Sequence, residues 1–151
     1  MIVVSCPTPV ETRALAARLA SLCRPGDLIV LSGGLGVGKT TFVGGLADGL
    51  GIEEAITSPT FVLMRTYSSG FLPLVHVDVY RIGSSLEFDD LEVFELGRDG
   101  VVAIEWGDVI SAALPADRLH VDLAMDADGH RTVSLRPLGA WQDRPLAEVG
   151  S

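Results

Sequence analysis

The stretch Leu28-Ile29-Val30-Leu31-Ser32-Gly33-Gly34-Leu35-Gly36-Val37-Gly38-Lys39-Thr40-Thr41-Phe42 decides the fold. Its wholly apolar start, Leu28 to Leu31, suits a short strand buried on both faces. The strand runs into a glycine-rich loop, and Gly33 to Thr40 satisfies the spacing G-x-x-x-x-G-K-[ST]. Glycines let a backbone close around a phosphate with its N–H groups turned inward, and a following helix adds the positive end of its dipole. Lys39 is placed to reach the β- and γ-phosphates, Thr40 to offer its hydroxyl to Mg²⁺, and Thr41 to touch the α-phosphate. The candidate ATP-binding set is therefore Gly33, Leu35, Gly36, Val37, Gly38, Lys39, Thr40 and Thr41. Lys39 is also the chain's single lysine beside ten arginines, an exception that compositional bias does not explain.

Working outward, Lys39 opens a helix that stops near Gly49 or Gly51, with Gly44-Gly45 a weak point for helix propensity. Upstream, Met1 to Cys6 reads as a strand. Thr8-Pro9-Val10-Glu11 is a capping box, followed by Leu15, Leu19 and Leu22 at helical spacing. Downstream, Phe61–Tyr67 and Leu72–Val79 flank Ser68-Ser69-Gly70 as a hairpin. Ser84 or Ser85 caps a helix that Gly97 ends. Val101–Ile104 is another buried strand, and Leu119–Met125 with Thr132–Arg136 form a closing hairpin around Asp128-Gly129. Hairpins interleaved with crossover helices predict an α/β fold with a mixed parallel and antiparallel sheet. The expected division is one domain over 1–136 and a C-terminal tail over 137–151, where the periodic signal fades.

Composition narrows the function classes. The 151 residues carry a formal charge of −9, are 48% hydrophobic and 21% charged. That is globular composition, of a length that one domain fills. Acidity argues against a large phosphate-backbone footprint, so autonomous nucleic-acid binding is not expected. Two cysteines, Cys6 and Cys23, have neither zinc-ligand nor disulfide-scaffold spacing. No apolar run is long enough to span a bilayer, and the start lacks a basic leader, so a cytoplasmic protein is expected.

A phosphate-loop enzyme needs an acid at a neighbouring strand end for Mg²⁺, and a group that orients water. Two positions qualify. Glu105 follows the apolar strand 101–104, and Asp78 lies in Val75-His76-Val77-Asp78-Val79, where alternation puts His76 on the same face. The acids between Glu87 and Glu95 suit a solvated helix face, and His76 a packed or surface imidazole. Trp106 either packs near a nucleotide or closes the core. Arg81, after Tyr80, either neutralises phosphate, faces a partner, or is an ordinary surface arginine.

Four motifs in order, Gly33 to Thr41, Ser58-Pro59-Thr60-Phe61, His76-Val-Asp78-Val-Tyr80-Arg81 and Ile104-Glu105-Trp106, resemble the TsaE (YjeE) family, small bacterial ATPases of tRNA threonylcarbamoyladenosine biosynthesis. The resemblance implies a three-layer fold like that of P-loop NTPases, with ATP and Mg²⁺ as cofactors. It implies that Thr40 and Glu105 hold the metal, that Lys39, Asp78 and Glu105 are catalytic, and that Ser58, Pro59 and Thr60 form a switch-like loop. Tyr80, Arg81 and Trp106 would belong to the same switch and partner-sensing set, and the adenine would lie around Thr12 and Arg131. The implied partners are a TsaB–TsaD-type complex and, only through it, tRNA. ATP hydrolysis would reset that complex, which modifies adenosine 37, between turnovers.

Alternatives remain from the residues themselves. A small-molecule kinase would phosphorylate an acceptor directly, and the span between Lys39 and Asp78 holds a hairpin where a substrate subdomain would be needed. A GTPase would need Asn-Lys-x-Asp, which a chain whose one lysine is Lys39 lacks. A non-hydrolysing, nucleotide-gated scaffold would keep its function when Glu105 is replaced by alanine. The transporter-like Leu31-Ser32-Gly33-Gly34 overlaps the phosphate loop and is accidental.

Overall fold

A computed structural model describes residues 1–34, 36–56, 64–79, 92–105 and 114–150. Among these, the order is β1 (Ile2–Cys6), α1 (Pro9–Ala20), β2 (Asp27–Ser32), α2 (Lys39–Gly49), β3 (Met64–Tyr67), β4 (Leu74–Asp78), α3 (Val93–Leu96), β5 (Val101–Glu105), β6 (Leu119–Met125) and β7 (Arg131–Pro137). A 3-10 helix, Gly139–Asp143, and α4, Leu146–Val149, complete it. No helix of the described residues is long and apolar enough to cross a membrane.

The seven strands form one mixed sheet, ordered β1-β7-β6-β2-β5-β4-β3. β2 lies at its middle, parallel to both β5 and β6, and β5 is parallel to β4. The remaining pairs, β1–β7, β6–β7 and β3–β4, are antiparallel. This is the mixed α/β architecture that the interleaved hairpins and helices imply. Every residue of β2, β4 and β5 is buried, which is why Leu28–Leu31 and Val101–Ile104 read as continuous apolar runs, while β4 buries His76 and Asp78 among its valines.

Two apolar clusters lie on opposite faces of the sheet. Under α1 and α2, Leu15, Leu19, Phe42 and Leu46 pack on Ile29, Leu31, Ala103 and Val121. On the other face, Val93 of α3 joins Leu28, Val30, Val75, Val77, Val102 and Ile104. Successive side chains of a strand point to opposite faces, so β2 feeds both clusters alternately.

Local chemistry sets the helix boundaries. Thr8 and Glu11 form the reciprocal capping box of α1, with Pro9 in the first turn. Gly44 and Gly45, unfavourable by propensity, are buried within α2. A side chain on Gly45 would collide with the backbone of Arg13 in α1, so the pair lets the two helices approach closely. Gly97 ends α3 as its C-cap, while the start expected for that helix at Ser84 or Ser85 lies outside the described residues.

The stretch read as a tail packs onto the same core. Trp141, Leu146 and Val149 are buried in the cluster beneath α1. Arg144 closes two hydrogen bonds onto the Asp27 carboxylate, at 2.5 and 2.8 Å, and stacks 4.0 Å from the centre of the Trp141 ring. Arg18 of α1 adds a bond to the Val149 carbonyl. These contacts come from a 3-10 turn and one turn of α-helix, too short to carry a periodic apolar pattern.

Candidate functional site

The parallel strands β2, β5 and β4 end side by side, and Lys39, Thr40, Asp78 and Glu105 lie at those ends. Crevices at the carboxyl ends of parallel strands are where open α/β sheets bind ligands. β2 delivers the loop 33–38, whose glycines bend it sharply: Gly33 has φ 141° and Gly38, the N-cap of α2, φ 106°. A Cβ on Gly33 would stand 2.5 Å from the Leu123 carbonyl oxygen, so no side chain fits there. Gly38 provides no side-chain cap to the first turn of α2.

Lys39 is only 5% exposed, and its ammonium donates to the carbonyl oxygens of Gly33 and Gly34, both at 2.8 Å. The loop thus curls over the lysine that follows it. Across from Lys39 stand two buried acids, Asp78 at 7% exposure and Glu105 at 3%. They are register partners in the β4–β5 ladder, so both side chains lie on the face that carries α2. Parallel strands are about 4.8 Å apart. Two carboxylates so close in a dry site favour a cation between or beside them. The Thr40 hydroxyl donates toward both Glu105 oxygens, at 3.3 Å each.

His76 is fully buried, and its Nε2 lies 2.5 Å from Glu105 Oε2. Sequence reasoning put His76 on the face of Asp78 yet favoured an uninvolved imidazole. The structure makes it a direct partner of Glu105. The available signal was the His-x-Asp alternation itself.

Arg131, at the start of β7, donates from Nε to the Val37 carbonyl at 3.0 Å, and its side chain lies against Gly38. It therefore sits on the glycine loop. Thr12 is fully buried, and its hydroxyl donates back to the Thr8 carbonyl. Gly36 and Val37 lie in the loop, and Thr41 in the first turn of α2. Leu35, Ser58, Pro59, Thr60, Tyr80, Arg81 and Trp106 lie outside the described residues. On the opposite sheet face, Ser32 is anchored to His120 Nε2 at 3.1 Å, which ties the foot of the loop to β6.

Neither cysteine offers thiolate chemistry. Burial pushes the Cys6 thiol up, and burial with the nearby Asp27 charge pushes Cys23 up to about 12. Arg144, hydrogen-bonded to Asp27, is held further above its ordinary value.

Comparison with known proteins follows the same geography. The family model described as "Threonylcarbamoyl adenosine biosynthesis protein TsaE" matches residues 6–133. The tRNA threonylcarbamoyladenosine biosynthesis protein TsaE of Bacillus subtilis (strain 168) is 40% identical over 131 residues, covering 87% of this chain and 82% of that protein. Its namesake from Streptomyces coelicolor is 46% identical over 134 residues, covering 84% and 90%. Among solved structures, the crystal structure of Bacillus subtilis YdiB superposes with a TM-score of 0.81 at 34% identity, covering 97% of this chain and 91% of that one.

Proposed function

The chain belongs to the TsaE family, which works in tRNA threonylcarbamoyladenosine biosynthesis, and from that premise we propose that it is a Mg²⁺-dependent ATPase serving that pathway. One observation carries the reading: the buried Lys39 ammonium, the Thr40–Glu105 contact and the glycine loop meet at the carboxyl ends of β2, β5 and β4.

The residues present fit a nucleoside triphosphate and a divalent cation. Gly33 packs against the Leu123 carbonyl, an approach that no side chain would allow, which keeps the loop backbone tight at the strand end, and α2 opens on that loop without a side-chain cap. Gly33, Leu35, Gly36, Val37, Gly38, Lys39, Thr40 and Thr41 would hold the phosphates. Thr40 and Glu105 would hold Mg²⁺, with Asp78 beside them as a second acid. When bound, Mg²⁺ neutralises charge on the phosphate oxygens and polarises the group transferred.

The chain's own side chains have separable duties in this reading. Lys39 supplies fixed positive charge to the phosphates. Glu105 and Asp78 accept hydrogen bonds from water and fix its orientation. Arg131 braces the loop through Val37 and adds a second cation beside it. The adenine would lie around Thr12 and Arg131. Ser58, Pro59, Thr60, Tyr80, Arg81 and Trp106 are assigned to switching and partner sensing on their motifs.

The proposed partner is a TsaB–TsaD-type complex, whose reset between turnovers would consume the ATP. The net charge of −9 supports contact with tRNA only through that complex. The test is multiple-turnover tRNA modification by purified TsaB–TsaD with this protein and ATP. Wild-type protein is expected to sustain repeated turnover, and Lys39→Ala to stop it after about one. Equal turnover by both proteins would sink the proposal.

A further inference from the structure

His76 stands in a position that neither the sheet nor the core requires of a histidine. In the β4–β5 register it faces Ala103, whereas the residue it bonds, Glu105, lies two positions further along β5. Diagonal neighbours in a ladder are about 7–8 Å apart and within reach only of long or aromatic side chains. The methyl of Ala103 leaves the imidazole room to lean toward Glu105. Its other nitrogen, Nδ1, is buried with no hydrogen-bond partner among the described residues. Leaving a buried ring nitrogen unpaired is unfavourable, so the Nε2 bond to Glu105 is the side-chain contact that fixes the ring among the described residues.

We infer that His76 is a positioning residue that aims the Glu105 carboxylate at the cation site. Nε2–H donates to Oε2, and the Thr40 hydroxyl approaches both oxygens from α2. Held from two sides, the carboxylate cannot rotate freely about its terminal bond, and Oε2 stays with the imidazole while both oxygens face Thr40. Without the imidazole it would have only the longer Thr40 contact and would sample other orientations. Partners that orient a metal-facing group typically contribute 10–100-fold to metal affinity. The inference rests on the reading of Glu105 as the cation-facing acid.

The experiment is a Mg²⁺ titration of the full chain, read by the fluorescence of bound mant-ADP and, separately, by mant-ADP affinity in EDTA. The variants are His76→Gln, whose amide nitrogen can take the place of Nε2, His76→Asn, whose shorter amide cannot reach, and Glu105→Gln. The expected result is a rise of about tenfold or more in the Mg²⁺ half-saturation point for His76→Asn. His76→Gln should stay within about threefold of wild type, and metal-free affinity should be unchanged in both. A purely structural histidine would change the melting temperature of both variants while leaving the Mg²⁺ midpoint alone, and that result overturns the inference. If Glu105→Gln titrates like wild type, the cation-facing role of Glu105 fails first. If Glu105→Gln loses its Mg²⁺ response while His76→Asn keeps it, only the positioning role fails. Should His76→Asn not fold, Ala103→Val, which crowds the ring without removing it, must raise the same midpoint; a wild-type midpoint there overturns the inference equally.

Discussion

Lys39 Nζ lies 2.8 Å from the carbonyl oxygen of Gly33, the first glycine of the loop that the lysine itself closes. The second bond, to Gly34, completes a ring in which the loop's entry strand and the helix's first residue hold one another. The loop is therefore already curved around a positive charge. Lys39→Met keeps much of the apolar stem and removes that charge. Hydrogen bonds to charged groups are worth about 1.5–3 kcal/mol, so losing the phosphate contacts should weaken mant-ATP binding by roughly 100-fold. Fluorescence titration with a parallel thermal melt separates this effect from unfolding. Binding within a few-fold of wild type would remove Lys39 from the phosphate site.

The two neighbouring glycines at the start of the loop should respond oppositely to alanine. Gly33 combines φ 141° with a Leu123 carbonyl 2.5 Å from where the Cβ would go. Gly34 has open space at that point and no positive φ. Gly33→Ala is expected to cost about 2 kcal/mol or more in urea unfolding and to abolish nucleotide binding, and Gly34→Ala to change stability by less than about 0.5 kcal/mol. Comparable losses in both variants would contradict the loop geometry.

What sequence conveys and what it withholds divide along the range of the interactions. The capping box at Thr8 and Glu11 and the strand–loop–helix from Leu28 to Phe42 are local, and each is where spacing places it. Glu105 stands out because it follows an apolar run and Asp78 because it alternates with valines beside His76, yet nothing local says that β4 and β5 are neighbours in register. The His76–Glu105 bond depends on that pairing: the His-x-Asp alternation gives the face of His76 and not its partner. Gly44-Gly45 looks like a helix breaker until α1 is laid against it. Thr12 shows the same limit from the other side: its complete burial and its bond to the Thr8 carbonyl follow from how α1 packs, which no local spacing states.

The Arg144–Asp27 pair spans 117 residues and ties the C-terminal turn to the foot of the strand that leads into the phosphate loop. Both side chains are nearly sealed from water, at 5% and 8% exposure. Removing one partner strands the other charge in the core, so Arg144→Leu should lose about 3–5 kcal/mol in urea unfolding. Arg144→Leu combined with Asp27→Leu should recover part of that loss, because no isolated charge remains. A single variant as stable as wild type, or a double variant worse than the sum of its singles, would show that the pair is not what closes this end of the sheet.

Cys23 packs at the end of α1, its thiol directed at the Leu19 carbonyl and close to the same Asp27–Arg144 pair. Burial is the larger cause of its shift and the Asp27 charge the next, and together they push it from near 9 up to about 12. The sign of the linkage follows directly. Below pH 9 folded and unfolded chains both keep the thiol proton, and Cys23 adds no pH dependence. Between 9 and 12 the unfolded chain releases a proton that the folded chain retains, so stability falls as pH rises through that window. The limit for one proton is about 1.4 kcal/mol per pH unit, and about 1 is expected for a side chain that is not wholly sealed. Cys23→Ala should therefore unfold in urea with a shallower alkaline decline than wild type, the two curves diverging by about 1 kcal/mol per unit from pH 9 to 11. Curves that stay parallel over that range would mean that Cys23 ionises as readily in the fold as outside it, against the burial and the Asp27 charge that surround it.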